Sequence, residues 1–124
     1  KGLLNIYSAL CRLEDVPLLY STPAEIVQAA LDNSDAKALQ TLSMFCEGIG
    51  AAAGNLALTF GAKGGIYIAG GVIPRFQEFF LSSEFRCKFE DKGRFVHYLS
   101  TIPVFIVVRE NLGLLGAAKK LAQF

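Results

Sequence analysis

Apolar positions recur three and four residues apart at Leu3, Leu4, Tyr7, Leu10 and Cys11, and that period predicts an amphipathic helix over about residues 2–14. Pro17 and Pro23 bracket the loop that follows. Thr22 is placed to cap a second helix, Pro23 falls at its first position, and Glu25 completes a capping box. This helix, over about 23–32, carries Ile26, Val27, Ala30 and Leu31. Ser34 is expected to cap a third and longer helix over about 35–60, through Leu39, Leu42, Phe45 and Cys46. Residues 48–62 are almost all small or apolar, but Glu47 and Asn55 interrupt the pattern. The uncharged run of about 15 residues also falls short of the roughly 20 that a bilayer needs. The pattern is that of a buried helix. Gly50 and Gly54 lie four apart on one face, where a neighbouring backbone can pack closely.

The period then changes. Ile66 to Ala69 has the β-branched and aromatic content of a buried strand, and it runs into Gly70-Gly71 and Pro74. Over residues 64–81 this reads as strand, glycine turn and new helix, with Arg75 to Leu81 helical and Phe76, Phe79 and Phe80 as the apolar side. Such a turn leaves unpaired N–H groups at the carboxyl end of a sheet, where α/β proteins bind phosphates. A tight turn without a ligand has the same pattern, and the stretch alone does not choose between the two. Ser83 is expected to cap a short helical turn with Phe85, Cys87 and Phe89. Glu90 to Arg94 reads as a solvated loop and Phe95 to Leu99 as one more short helix. Pro103 opens an all-apolar run, residues 104–108, that predicts a strand covered on both faces. Asn111 is expected to cap a final helix over 112–122 with Leu114, Leu115 and Leu121 facing inward. Two strands joined by helices are expected to be parallel. Two parallel strands are not a self-sufficient sheet, so others must come from upstream sequence or another chain. The fold class is α/β, helix-rich, with at least two parallel strands in part of a larger domain.

Composition narrows the partners. The 124 residues are 52% hydrophobic and 19% charged, a well-cored globular composition long enough to bury roughly two-thirds of its unfolded surface. A net charge of +1 with no basic run provides no electrostatic case for nucleic acid or an anionic membrane. Cys11, Cys46 and Cys87 are odd in number and widely spaced, the pattern of reduced, mostly buried thiols in a cytosolic protein. His97 is the single histidine, so no histidine-based metal cluster can form. Without a carboxylate partner in view it reads as solvated or at the core edge. The start, Lys1-Gly2-Leu3, has no initiator Met and no signal core, and a segment of a longer chain is expected.

The string Gly64-Gly65-Ile66-Tyr67-Ile68-Ala69-Gly70-Gly71-Val72-Ile73-Pro74-Arg75-Phe76 closely resembles the adenosine motif of bacterial glucokinases. The likeness continues through Phe89 to Phe95, Ile102-Pro103-Val104 and Gly113-Leu114-Leu115-Gly116. Upstream, Gly2 to Tyr7 and Gly54 to Leu58 match two of the family's helices. Leu112 stands where family members often carry Pro, a small departure. The matching strings span nearly all of this chain but only the C-terminal part of a typical member.

The resemblance implies the C-terminal part of an actin-like ATPase (ribonuclease H-like) domain. The activity it implies is the ATP-dependent phosphorylation of glucose to glucose 6-phosphate in cytoplasmic glycolysis, with Mg2+. Phosphoryl transfer of this kind depends on positioning and charge neutralisation. On that likeness Gly70 and Gly71 lie against ribose and phosphates, and Val72, Ile73 and Pro74 line the adenine side. Gly113 to Gly116 begin a last helix that crosses back to the smaller lobe near the hinge. The family's Asp-x-Gly-Gly-Thr phosphate loop, its Asn-Asp pair with the catalytic base, and its Glu-x-Gly-His glucose string are all absent here. No catalytic residue and no metal ligand is therefore assigned; Glu90 and Asp91 are read as surface or packing groups. The unfinished sheet predicts self-pairing, hence a homodimer. The alternative is a non-catalytic regulatory or oligomerisation module with a sugar-kinase fold. DNA-binding versions of that fold carry a helix-turn-helix element that this chain lacks.

Overall fold

The computed structural model describes residues 1–123. The first helix, α1 (Gly2–Leu13), buries Leu3, Tyr7, Leu10 and Cys11, four of the positions that define its period. The second, α2 (Pro23–Leu31), begins with the expected capping box. Thr22 Oγ1 accepts from the Glu25 N–H at 3.3 Å, and Glu25 Oε2 accepts from the Thr22 and Ser21 N–H groups at 2.9 Å each. The long helix, α3 (Ala36–Phe60), is capped by Asp35, which accepts from the Lys37 N–H at 2.8 Å. Ser34 was the residue expected there. Its hydroxyl instead donates back to Ala29 O at 3.2 Å and closes the end of α2. Asp35 also accepts from the buried Tyr7 hydroxyl at 3.2 Å, so one carboxylate ties α1 to the start of α3. Burial pushes the Tyr7 phenol up to about 12, and it remains a neutral donor at physiological pH.

The chain then forms strand β1 (Ile66–Ile68), a 3-10 turn (Ile73–Phe76), and three short helices: α4 (Gln77–Ser82), α5 (Phe85–Glu90) and α6 (Val96–Ser100). Strand β2 (Val104–Ile106) and helix α7 (Leu112–Leu121) complete it. Helix α3 is the hub, packing against α1, α2 and α5. Its contact with α5 runs through Gly50 and Gly54. A Cβ on Gly50 would overlap the Phe85 carbonyl oxygen, and one on Gly54 would overlap that of Phe89. The two helix backbones touch, and the GxxxG expectation holds for that reason. On α5, Phe85 and Phe89 are buried and continue a stack from Phe80, with ring centroids 4.6 and 6.1 Å apart.

Arg86 on the same helix makes a network with no obvious sequence pattern. Its guanidinium donates to Ile102 O at 2.9 Å, Ser100 O at 2.9 Å and Leu99 O at 3.2 Å, and it pairs with Glu90. It thereby satisfies carbonyls at the end of α6 and holds the entry to β2. Glu90 is thus a structural partner at the end of α5, not part of a free loop.

The strands pair in parallel, as expected, with Ile66 opposite Val104, Tyr67 opposite Phe105 and Ile68 opposite Ile106. The isoleucines and Val104 pack on the core. The expectation of a strand covered on both faces over residues 104–108 fails. β2 is shorter, and Tyr67 and Phe105 stack at 5.0 Å on the far face, 67% and 44% exposed. Helix α7 corrects another expectation: none of its residues is buried, and Leu114 and Leu121 are each 73% exposed. Its 3.6-residue pattern makes an apolar side, but no described element covers that side. Asn111 takes the left-handed conformation, φ 56°, and its side chain makes no capping bond. Cys11 and Cys46 are buried, whereas Cys87 is exposed. No helix among the described residues is long and apolar enough to cross a membrane.

Two outcomes test this packing. Gly50→Ala and Gly54→Ala should each lower the unfolding free energy by about 1–3 kcal/mol in urea titrations, because the α5 backbone must move. Gly48→Ala, with open space at its Cβ on the same helix, should raise it by up to about 1 kcal/mol. Equal responses from all three would show that α5 is not in backbone contact. The Glu25 carboxylate is held below the usual range chiefly by the Ser21 and Thr22 amides. Its stabilising effect is therefore full above the unfolded value of about 4.3 and is lost as pH falls through the lower folded value. The Tm gap between the protein and Glu25→Ala should close in acid and stay constant between about pH 6 and 8.

Candidate functional site

Because β1 and β2 are parallel, the chain leaves both strands at the same edge of the sheet. From β1 it enters Ala69-Gly70-Gly71, and from β2 it enters Val108-Arg109-Glu110-Asn111 before α7 begins. Between these exits lies an open groove of about 770 Å3. Its first wall is Ala69, Gly70, Gly71, Pro74 and Arg75. The second runs from Val108 to Gly113.

The first wall is shaped by backbone geometry. Gly70 has φ 146°, where an L side chain is strained, and a Cβ there would meet nothing within 4 Å. Gly71 is equally open, so a ligand can lie directly on the main chain. Pro74 sits early in the 3-10 turn, whose closing bond runs from the Arg75 N–H to Val72 O at 3.2 Å. The helix expected to start at Arg75 starts at Gln77 instead. Phe76, at φ −138°, leaves the helical range and breaks the two apart. α4 is only six residues long, so the glycine turn does not feed a helix N-terminus directly.

The expected binding residues divide. Gly70, Gly71 and Pro74 line the groove, and so does Gly113 at the start of α7. Val72 and Ile73 do not. Ile73 is 7% exposed, and both line an adjoining apolar pocket of about 230 Å3 with Phe45, Ile49 and Ile68, which shares Ala69 and Gly70 with the groove. Gly116, one turn along α7, lies off the groove. Sequence reasoning passed over Arg75, Arg109, Glu110 and Asn111. The available signal was the polar triplet directly after an all-apolar strand, because residues that follow parallel strands sit at the ligand-binding edge. The guanidiniums of Arg75 and Arg109 have no hydrogen-bond or ion-pair partner among the described residues.

Glu110 brings a carboxylate to the groove. Glu90 and Asp91 lie elsewhere, at the end of α5. Among the described residues no group of three or more His, Cys, Asp or Glu side chains could hold a metal ion. His97 is exposed on α6, away from the groove. The arrangement suits capture of an elongated ligand against bare backbone and cationic side chains. Among the described residues lining the groove, no base stands beside a nucleophile.

The family model described as Glucokinase matches residues 1–124. The glucokinase of Hahella chejuensis is 51% identical over 121 residues, covering 98% of this chain and 38% of that protein. That of Pectobacterium atrosepticum is 46% identical over 123 residues, covering 99% and 38%. A crystal structure of the glucokinase from an Antarctic psychrotroph superposes with a TM-score of 0.86 at 35% identity, covering 99% of this chain and 38% of that one. The chain therefore spans about two-fifths of the length of the relatives it matches. With its whole length matched by the family model and its fold shared with a solved member, the chain belongs to the glucokinase family.

Proposed function

We propose that this chain is the C-terminal segment of an enzyme that transfers the γ-phosphoryl group of ATP to glucose, forming glucose 6-phosphate in cytoplasmic glycolysis. The groove takes the nucleotide. The observation that carries this reading is the Gly70-Gly71 turn, which lies bare at the carboxyl edge of a parallel strand pair in a glucokinase-family chain. Gly70 and Gly71 let the ribose and phosphates approach the main chain, Pro74 fixes the outer edge, and Gly113 begins the opposite wall. Val72 and Ile73 line the apolar pocket that shares Ala69 and Gly70 with the groove, a surface suited to the adenine side, and Ile73 also packs in the core. Phosphoryl transfer depends on holding donor and acceptor in line, so a wall that positions the nucleotide contributes to rate without touching the transferred group.

Mg2+ would accompany ATP and supply charge neutralisation on the phosphates. Glu110 is the lone carboxylate among the described groove residues, so no Mg2+ ligand set is assigned within them. The base and the glucose ligands are assigned to sequence outside this chain. The exposed Tyr67–Phe105 face and the uncovered apolar side of α7 support pairing with further protein, including a second copy in a homodimer.

In a full-length enzyme carrying this segment, Gly70→Val should raise KM for ATP about tenfold, equivalent to about 1.4 kcal/mol. KM for glucose should change less than twofold. A coupled assay for glucose 6-phosphate reads both, and an unchanged KM for ATP would remove the turn from the site. The purified 124-residue chain should form no glucose 6-phosphate under the same assay. Turnover by it would show that the transferring groups lie within these residues.

A further inference from the structure

We propose that Arg75 and Arg109 grip the phosphate chain of the nucleotide from opposite walls of the groove; this rests on the nucleotide reading above. Arg75 follows the glycine turn after β1, and Arg109 follows the exit of β2, so each strand brings one exposed arginine to the lining of the same cavity. The cavity, about 770 Å3, is within the usual range for small-molecule and cofactor sites.

The state of the two side chains separates them from structural arginines. Arg86 is committed to three backbone carbonyls, to Glu90 and to the Phe89 ring. Arg75 and Arg109 hold no partner among the described residues, and each stands exposed at the groove. Two arginines without an ion-pair partner among the described residues, against one carboxylate, Glu110, leave the groove's lining with an excess of positive charge. A planar guanidinium matches two phosphate oxygens at once, which makes arginine the better residue for orienting a polyphosphate. Bare main chain at Gly70-Gly71 lets the same ligand approach close enough for both to reach it. The groove thus selects for phosphorylated nucleotides over nucleosides, and the two arginines set the preference.

The test is equilibrium binding of ATP, ADP, AMP and adenosine to a full-length enzyme carrying this segment. EDTA is present, so that the phosphates meet only protein. Arg75→Gln and Arg109→Gln should each weaken ATP about tenfold and the double variant about a hundredfold. Smaller losses are expected for AMP, and adenosine should stay within twofold. Arg109→Lys should recover part of the loss. If a glutamine variant melts early, the wild-type protein decides: its affinity for ATP should fall steeply between 50 and 200 mM salt and that for adenosine should not. Wild-type binding of ATP with unchanged affinity in the variants would overturn the arginine assignment and leave the nucleotide reading standing. Equal losses for ATP and adenosine would also overturn it. A wild-type protein that binds none of the four would remove both.

Discussion

The backbone contact between α3 and α5 governs the layout of this chain. Helix α5 is only six residues long and could not persist alone, since isolated helices of that length are unstable in water. It is held because Gly50 and Gly54 let its carbonyls rest on the α3 main chain, and because Phe85 and Phe89 fill the space around that contact. Once α5 is seated, Arg86 reaches the carbonyls of Leu99, Ser100 and Ile102 and fixes where β2 begins. The position of β2 in turn sets the second wall of the groove. Two missing methyl groups on one helix are thus connected, through one arginine, to the geometry of the site.

The site is a product of parallel pairing. An antiparallel pair would have put the exits of the two strands at opposite ends of the sheet. Here the glycine turn and the Arg109-Glu110-Asn111 triplet meet across one groove because the crossover through α4, α5 and α6 returns β2 in the same direction. Each wall contributes something different. The first provides exposed main chain and little side-chain bulk, and the second provides polar groups at the start of α7. Together they make a surface of bare main chain and polar side chains that suits the nucleotide-positioning role proposed for it.

Several features were legible because they are short-range. The Thr22–Glu25 box depends on four adjacent residues and forms as expected. The Gly50–Gly54 spacing marks one helix face whatever packs there, and the strand at Ile66 stands out by its β-branched content. The failures have equally definite causes. Ser34 and Asp35 can both cap a helix, and the choice went to Asp35, which Tyr7 also engages from α1. Period and turn chemistry also could not show that Val72 and Ile73 line an apolar pocket beside the groove, sharing Ala69 and Gly70 with it, while Ile73 packs in the core. The inward face expected of Leu114, Leu115 and Leu121 is apolar by period, but periodicity names a face without naming what covers it.

By itself the sequence determined where helices and strands form, which faces are apolar, where close backbone approach is possible, and which family the chain resembles. These follow from side-chain period, capping chemistry and glycine placement, all of which act over a few residues. Only the tertiary structure decided that Arg86 would be committed to three backbone carbonyls and Glu90 while Arg75 and Arg109 stand without a partner among the described residues at one groove. Three arginines of identical chemistry are separated by the carbonyls within reach of each, and that distance is set by residues far apart in the chain.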